Sequence, residues 1–568
     1  MITVMVQAAV EAPDRPNIIL IMTDDQGYGD LGVTGNTVIE TPNMDELARR
    51  SATMKTFYVG PVCSPTRAGL MTGRYHYRTR VIDTFRGRSM MESAETTLPE
   101  QLRRHGYLTG VFGKWHLGDC YPLRPMEQGF DESLVHRGGG LAQPSEPIEN
   151  RQRYTDPVLF RNGELTRTKG YCTDVYFDAA LEFIDRAGRV GKPFFMYVTP
   201  NAPHGPFHDV PEDLYEKYKG MDLAPVLLGN DRTADTVARV YAMIENIDQN
   251  VGRLDLKLRD AGIWENTIVI LMFDNGPNTM RYVGPMRGMK SDVLDGGIRS
   301  PFFVRWPARL KAGFASDRVA AYIDVMPTLL DAARVPPPER SNIDGRSLLP
   351  LLEGRNDHWE DRSIVVQAHR GDAPVRNHHV AIRNQRWKLL HPSGFGKEEP
   401  AGEVPWELYD MDRDPGEKSN LVAQHPEIVR KLRAEYDAWF DRVSSTRPDN
   451  YDPPRIVLGT DHETDTVLTW QDWRVTEGGG WGKQGKWLLR FTGQHSYDVE
   501  FMWPELIDIE DVELHVGRNS RSQHVGKTTD HVRMENVAVP DGDLELWVDV
   551  RRGGQSGSPY HVRLIRRH

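Results

Sequence analysis

Residues 17–25 read NIILIMTDD and residues 267–276 read TIVILMFDNG. Each is a short apolar run of the kind that forms a strand buried on both faces, and each halts at acidic or amide side chains. Two further stretches follow the same pattern. Tyr107 to Phe112 runs into Gly113-Lys114-Trp115-His116, and Phe194 to Thr199 runs into Asn201-Ala202-Pro203-His204. Between the runs, Val240, Ile244, Ile247, Val251, Leu254 and Leu258 recur at spacings of four and three, which places them on one helix face. Shorter helices are predicted to open at Thr41-Pro42, with a capping threonine, and at Leu98-Pro99, closing at Gly106. Strand and helix alternate, so the expected fold class is α/β: a mostly parallel sheet covered by helices on both faces. Ligands of such sheets gather beyond the carboxyl ends of the strands, where all four polar clusters fall.

Working outward, residues 14–360 read as the catalytic α/β domain. Residues 361–445 read as a smaller α+β subdomain, with strand-like Ser363 to Gln367 and Trp387 to His391 before a helix bearing Ile428, Leu432, Tyr436 and Phe440. Residues 446–460 contain a Pro- and Asp-rich linker, and residues 461–568 read as a β-rich accessory module on which catalysis of small substrates should not depend. Its predicted strands are Lys486 to Phe491, Tyr497 to Trp503, Val512 to Val516 and Leu544 to Val550.

The chain has 568 residues and a formal net charge of -11, which argues against nucleic acid or an anionic membrane as partner. No apolar run approaches the roughly 20 residues needed to span a bilayer. The first residues, MITVMVQAAVEA, read as a signal remnant or a wrong start, since they lack a basic beginning. Three cysteines, Cys63, Cys120 and Cys172, cannot build a disulfide framework. Cys120 and Cys172 are expected to be packing residues.

Cys63 lies in PVCSPTRAGLMTGR, residues 61–74, at a predicted helix opening where backbone N–H groups and the helix dipole favour an anion. The strand-end residues Asp24, Asp25, Asp274 and Asn275 form an all-oxygen set suited to a hard divalent cation rather than to zinc or copper. The Cys-x-Pro-x-Arg stretch resembles the type I, formylglycine-dependent sulfatases of the alkaline phosphatase superfamily. Further blocks match that family in order: Asp24-Asp25, Gly113-Lys114-Trp115-His116, Ala202-Pro203-His204, Asp274-Asn275-Gly276, Arg287-Gly288-Met289-Lys290 and Gly296-Gly297 with Arg299. Leu408-Tyr409-Asp410, Asp414-Pro415, Glu417 and Asn420-Leu421 resemble its closing motif, so the likeness covers about residues 15 to 445.

The resemblance implies an arylsulfatase-like hydrolase with the alkaline-phosphatase-like fold, working outside the cytoplasm, in the periplasm or secreted. It implies that a maturation enzyme converts Cys63 to formylglycine, and that Ca2+ is held by Asp24, Asp25, Asp274, Asn275 and an oxygen at position 63, with Mg2+ and Mn2+ as open alternatives. Arg67 and Lys114 would hold the formylglycine hydrate, whose one oxygen attacks sulfur; His204 or Lys290 would protonate the leaving alcohol, and His116 would deprotonate the second hydroxyl to expel sulfate. Lys114, His204 and Lys290 would thus contact the sulfate group, and His136 lies where related enzymes place another substrate contact. The expected substrate is a sulfated small molecule or, by preference, a sulfated carbohydrate. Two other readings stand beside this one: a phosphodiesterase or phosphonate monoester hydrolase of the same superfamily, and a catalytically silent carbohydrate-binding protein gripping sugars through Trp470, Trp473, Trp481 and Trp487.

Overall fold

The four apolar runs lie side by side at the centre of one sheet. The computed structural model describes residues 15–228, 231–339, 342–355, 359–398, 402–447, 449, 451–475, 481 and 484–567, so the N-terminal stretch read as a signal remnant lies outside the described residues. Strand Asn17–Thr23 pairs in parallel with Phe194–Thr199 on one side and Thr267–Phe273 on the other. Leu108–Lys114 joins in parallel beyond Phe194–Thr199, and Glu132–His136 beyond that. Antiparallel strands flank this run, Phe302–Arg305 on one side and Val158–Arg161 on the other, within an eleven-stranded sheet. The sheet is therefore parallel where the polar clusters lie, is bounded there by antiparallel pairs, and ends at one margin in a parallel pair, Ala52–Tyr58 with Ala315–Ala321.

Alternate residues of Asn17–Thr23 enter different cores. Ile18, Leu20 and Met22 pack with Ala68, Leu70 and Met71 of helix Cys63–Thr72, whereas Ile19 and Ile21 pack with Val240, Ile244, Ile247 and Val251 of helix Ala234–Asp260. Both faces are thus covered, and each fully buried aliphatic side chain contributes about 1.5–3 kcal/mol. The Leu98–Arg104 helix has a capping box between Thr97 and Glu100. The Pro42–Arg49 helix differs from expectation, because Thr41 makes no side-chain cap. Asp248 of the long helix takes that place from a distance, accepting the backbone N–H groups of Met44 at 2.7 Å and Asn43 at 3.2 Å.

Strands Ile364–Gln367, Val380–Arg383, Trp387–His391 and Glu407–Asp410 form a four-stranded antiparallel sheet followed by helix Pro426–Ser444. From residue 456 on, the described strands belong to a nine-stranded sheet. Tyr497 to Trp503 and Val512 to Val516, read above as separate strands, are parts of one strand, His495–Val516, paired with Asn519–Val539. The register shifts between Met502 and Ile507, and that irregularity accommodates Pro504, which has no N–H for the ladder. Trp473 and Trp487 are wholly buried core, whereas Trp481 is 38% exposed. None of the helices described is long and apolar enough to cross a membrane.

Candidate active site

Sheet register brings the acidic residues together. Thr23 pairs with Phe273, so the residues that follow, Asp24 and Asp274, leave adjacent parallel strands side by side. Asp24, Asp25, Asp274 and Asn275 are all at most 1% exposed. Asp25 adopts φ 63°, a left-handed conformation that a non-glycine residue holds only where its surroundings enforce it. Its backbone N–H donates to Asp274 Oδ1 at 3.2 Å, and the Asn275 amide donates to Asp25 Oδ1 at 2.8 Å.

Cys63 is the first residue of helix Cys63–Thr72 and is 2% exposed. Its Sγ and the carboxylate oxygens of Asp24 and Asp274 lie within 4.8 Å of one another. Burial pushes the thiol up, so an unmodified Cys63 is a neutral, poorly nucleophilic group. Arg67, one turn on, donates to Lys114 O at 2.9 Å, Thr199 Oγ1 at 2.7 Å and Asp274 Oδ2 at 2.9 Å. Lys114 Nζ meets Asp24 Oδ2 at 2.5 Å and Lys290 Nζ meets Asp25 Oδ1 at 2.6 Å. Burial opposes the charge on Lys290, but Asp25 together with Cys63 and Asp24 holds its pKa above the ordinary value. In turn burial works against ionised Asp25, and Lys290, His204 and Lys114 outweigh it and hold that carboxyl well below the usual range.

His204 Nε2 stands 3.7 Å from Asp25 Oδ2, and its Nδ1 bonds the Gly205 carbonyl at 2.8 Å. Burial draws its pKa down to about 4. His116, at φ 60°, places Nε2 2.7 Å from the Thr84 carbonyl. A carbonyl only accepts, so Nε2 carries the proton and the buried, unpartnered Nδ1 carries the lone pair. Burial and the charge of Lys114 hold His116 well below the usual imidazole range, neutral and ready to accept a proton. His136 is in register with Lys114; its Nδ1 bonds the Tyr176 hydroxyl at 2.9 Å, while its Nε2 is buried without a partner. Gly139 and Gly140 explain how the histidines are packed. A Cβ on the first would lie 2.9 Å from His116 Cε1, and one on the second 2.9 Å from His204 Cε1.

Several neighbours escaped the sequence reading. Thr199 anchors Arg67, and Asn201, though inside a quoted polar cluster, was given no role; its side chain lies 3.5 Å from Asp24 Oδ2 and accepts the Leu141 N–H. Arg281, which the sequence reading gave no role, is 2% exposed and donates to the Asp25 carbonyl at 3.1 Å while paired with buried Asp30. Gln471, far along the chain, has its side-chain nitrogen 3.3 Å from His116 Nε2. An Asx or Gln alone gives no periodic signal, so only the tertiary fold reveals these contacts.

The donor set fits a hard divalent cation. Asp24 Oδ1, Asp25 Oδ2 and Asn275 Oδ1 are buried oxygens without a hydrogen-bond partner, a costly arrangement that a metal would relieve. Asp274 points the same way. Burial and the charge of Asp24 raise its pKa to about 7 even though Arg67 and Lys114 oppose the shift, so side-chain cations alone leave the carboxylates under-compensated.

The sulfatase family model matches residues 16–335, and the model for the C-terminal region of N-sulphoglucosamine sulphohydrolase matches residues 290–439. N-acetylgalactosamine-6-sulfatase of Canis lupus familiaris is 34% identical over 393 residues, spanning 64% of this chain and 70% of the relative. Human arylsulfatase A is 30% identical over 463 residues, spanning 74% and 86%. The crystal structure of Ps i-CgsB in complex with k-i-k-neocarrahexaose is 27% identical, covers 75% of this chain and 92% of its own, and superposes with a TM-score of 0.64. A match over more than half of the chain, carried through relatives that align over most of their own length, means that the chain belongs to the sulfatase family of sulfuric ester hydrolases.

Proposed function

We propose that this sulfatase removes sulfate from a sulfated carbohydrate, with formylglycine at position 63 and Ca2+ held by Asp24, Asp25, Asp274 and Asn275. The observation that carries the proposal is Cys63 at a helix N-terminus beside a buried cluster of carboxylates and cations. The names of the relatives, an N-acetylgalactosamine-6-sulfatase and a protein crystallised with a neocarrahexaose, support a sugar as the sulfate carrier. When present, the two groups supply a Lewis acid toward a sulfate oxygen and a geminal hydroxyl as nucleophile.

The chain's own side chains do the rest. Lys114 and Lys290, paired with Asp24 and Asp25, face the sulfate in a water-poor site, where positive charge counts most. His204 donates Nδ1–H to the Gly205 carbonyl, leaving Nε2 as the site that takes up a proton when an anionic sulfate raises its pKa; that proton then goes to the departing alcohol. His116 presents Nδ1 as the proton acceptor for sulfate release. His136, with its free Nε2, is a further contact for the sulfate or its sugar.

Sulfate release from defined sulfated sugars, run beside a phosphate diester, tests the activity, and the peptide Thr56 to Arg67 tests the modification. Trypsin frees TFYVGPVCSPTR with Cys63 as its one cysteine. In active protein made with a maturation enzyme, that peptide should react with a hydrazine-type carbonyl reagent and resist thiol alkylation. Full activity with only alkylated Cys63 would exclude formylglycine, and faster turnover of the diester would exclude the sulfatase reading.

A further inference from the structure

The Thr84 carbonyl that sets the His116 tautomer has a second donor, and that donor comes from the C-terminal β sheet region. Gln471 Nε2 donates to Thr84 O at 2.7 Å and to Ser89 Oγ at 3.0 Å, from a side chain only 1% exposed. Its backbone carbonyl accepts the Gly87 N–H at 3.0 Å, so one residue grips the 84–89 loop at three points. The next residue, Asp472, accepts the Asp119 N–H at 3.0 Å, three residues beyond His116. Both flanks of the histidine are therefore tied to residues 471 and 472, which lie past the family-model matches ending at residue 439.

We infer that Gln471 is a positioning residue for His116, supplied by the region read from sequence as an accessory module. The inference rests on the sulfatase reading of the site given above. A carbonyl oxygen has two lone pairs; here one takes the imidazole Nε2–H and the other the Gln471 amide. Held from both sides, the carbonyl keeps the imidazole in the tautomer whose Nδ1 lone pair is free to accept a proton. Without the amide, the Thr84 carbonyl loses its second donor and is free to turn even though Arg88 still ties the loop to Asp372, so the proton no longer has a fixed nitrogen. Partners of this kind, which orient a histidine without touching substrate, typically carry about 10–100-fold in activity.

The test uses the full-length chain with Gln471→Met, which fills the same space without an N–H, beside Gln471→Ala. It needs two readouts. With an aryl sulfate, kcat should fall about 10–100-fold for Gln471→Met with KM nearly unchanged. Nitrogen-15 NMR of histidine-labelled protein, with His116 signals identified by their loss in His116→Gln, should show one fixed tautomer in the parent and a mixture in Gln471→Met. Parental kcat in folded Gln471→Met overturns the inference, and so does a fallen kcat with an unchanged His116 spectrum, which would make Gln471 packing alone. The underlying reading fails separately: a parent protein that releases no sulfate, or a His116→Gln variant as active as the parent, removes His116 as the base and the inference with it.

Discussion

Replacing Asp274 by asparagine should stabilise the metal-free protein and at the same time abolish its response to calcium. Burial and the neighbouring Asp24 raise the Asp274 pKa from 3.8 to about 7. At 1.36 kcal/mol per unit, the ionised carboxylate costs the fold about 4 kcal/mol at pH 8. The sign follows from proton binding: between the two pKa values the folded state holds the proton that the unfolded state has lost, so stability falls as pH rises toward 7 and stays low above it. Asparagine carries no charge, keeps the shape, and retains an oxygen for the Asp25 N–H. The opposing pull of Arg67 on the carboxylate is already contained in that raised pKa, so the expected net gain at pH 8 is up to about 4 kcal/mol. Calcium at a hundredfold excess over its dissociation constant should stabilise the parent by about 2.7 kcal/mol and the variant hardly at all. Denaturant unfolding at pH 8, with chelator and with Ca2+, reads both effects. A variant that is less stable than the parent in chelator and yet gains as much from Ca2+ would refute the reasoning at both steps.

Two further outcomes are expected. His204→Ala should slow hydrolysis of an alkyl sulfate by about 100-fold or more but that of an aryl sulfate with a good leaving group by far less, and equal losses on both would remove His204 as the general acid. His561, buried against the Pro144 carbonyl, has its pKa drawn down to about 4 by burial, so its contribution to stability is present above pH 6.5 and lost as pH falls toward 4. His561→Gln should therefore remove about 2 kcal/mol of the stability difference between pH 7 and pH 4.5 in urea unfolding, and an unchanged difference would show that His561 is not titrating there.

Fold and site were legible in the sequence to the extent that local pattern dictated them. The runs at 18–22 and 268–273 are apolar throughout because both faces of the sheet are covered, and the polar residues that follow mark the carboxyl edge without any knowledge of pairing. The run from Tyr107 differs at both ends: the strand begins at Leu108, and Gly113 and Lys114 continue it while their types suggest a turn. Thr41 looked like a cap because threonine before proline usually is one, yet Asp248, some two hundred residues away in sequence, takes the helix N–H groups. Gln471 and Arg281 were invisible for the same reason: a single polar residue becomes functional only through what folding sets beside it. In the tail, Pro504 suggested a break between strands, while the long pairing with Asn519–Val539 absorbed it as an irregularity.

The order of forces in the site follows from the sheet. Three buried carboxylates repel one another, and side chains free to choose would separate; here Asp24 and Asp274 cannot, because their backbones leave adjacent strands fixed by seven register pairs. The ladder between those strands, with Ile18 to Met22 and Ile268 to Phe273 buried on both faces, supplies far more stabilisation than the repulsion removes. Conformational adjustment is confined to the residues after the ladder, where Asp25 takes a left-handed φ and turns its carboxylate toward Lys290 and His204. The lysines and Arg67 lower the repulsion but leave Asp274 with a raised pKa, which the proposed cation would relieve. A site held together by its backbone against its own electrostatics would need little rearrangement to take the proposed metal. His116 sits just past the strand end, where its backbone N–H still bonds the Arg137 carbonyl at 2.8 Å, while its imidazole is oriented by the Thr84 carbonyl.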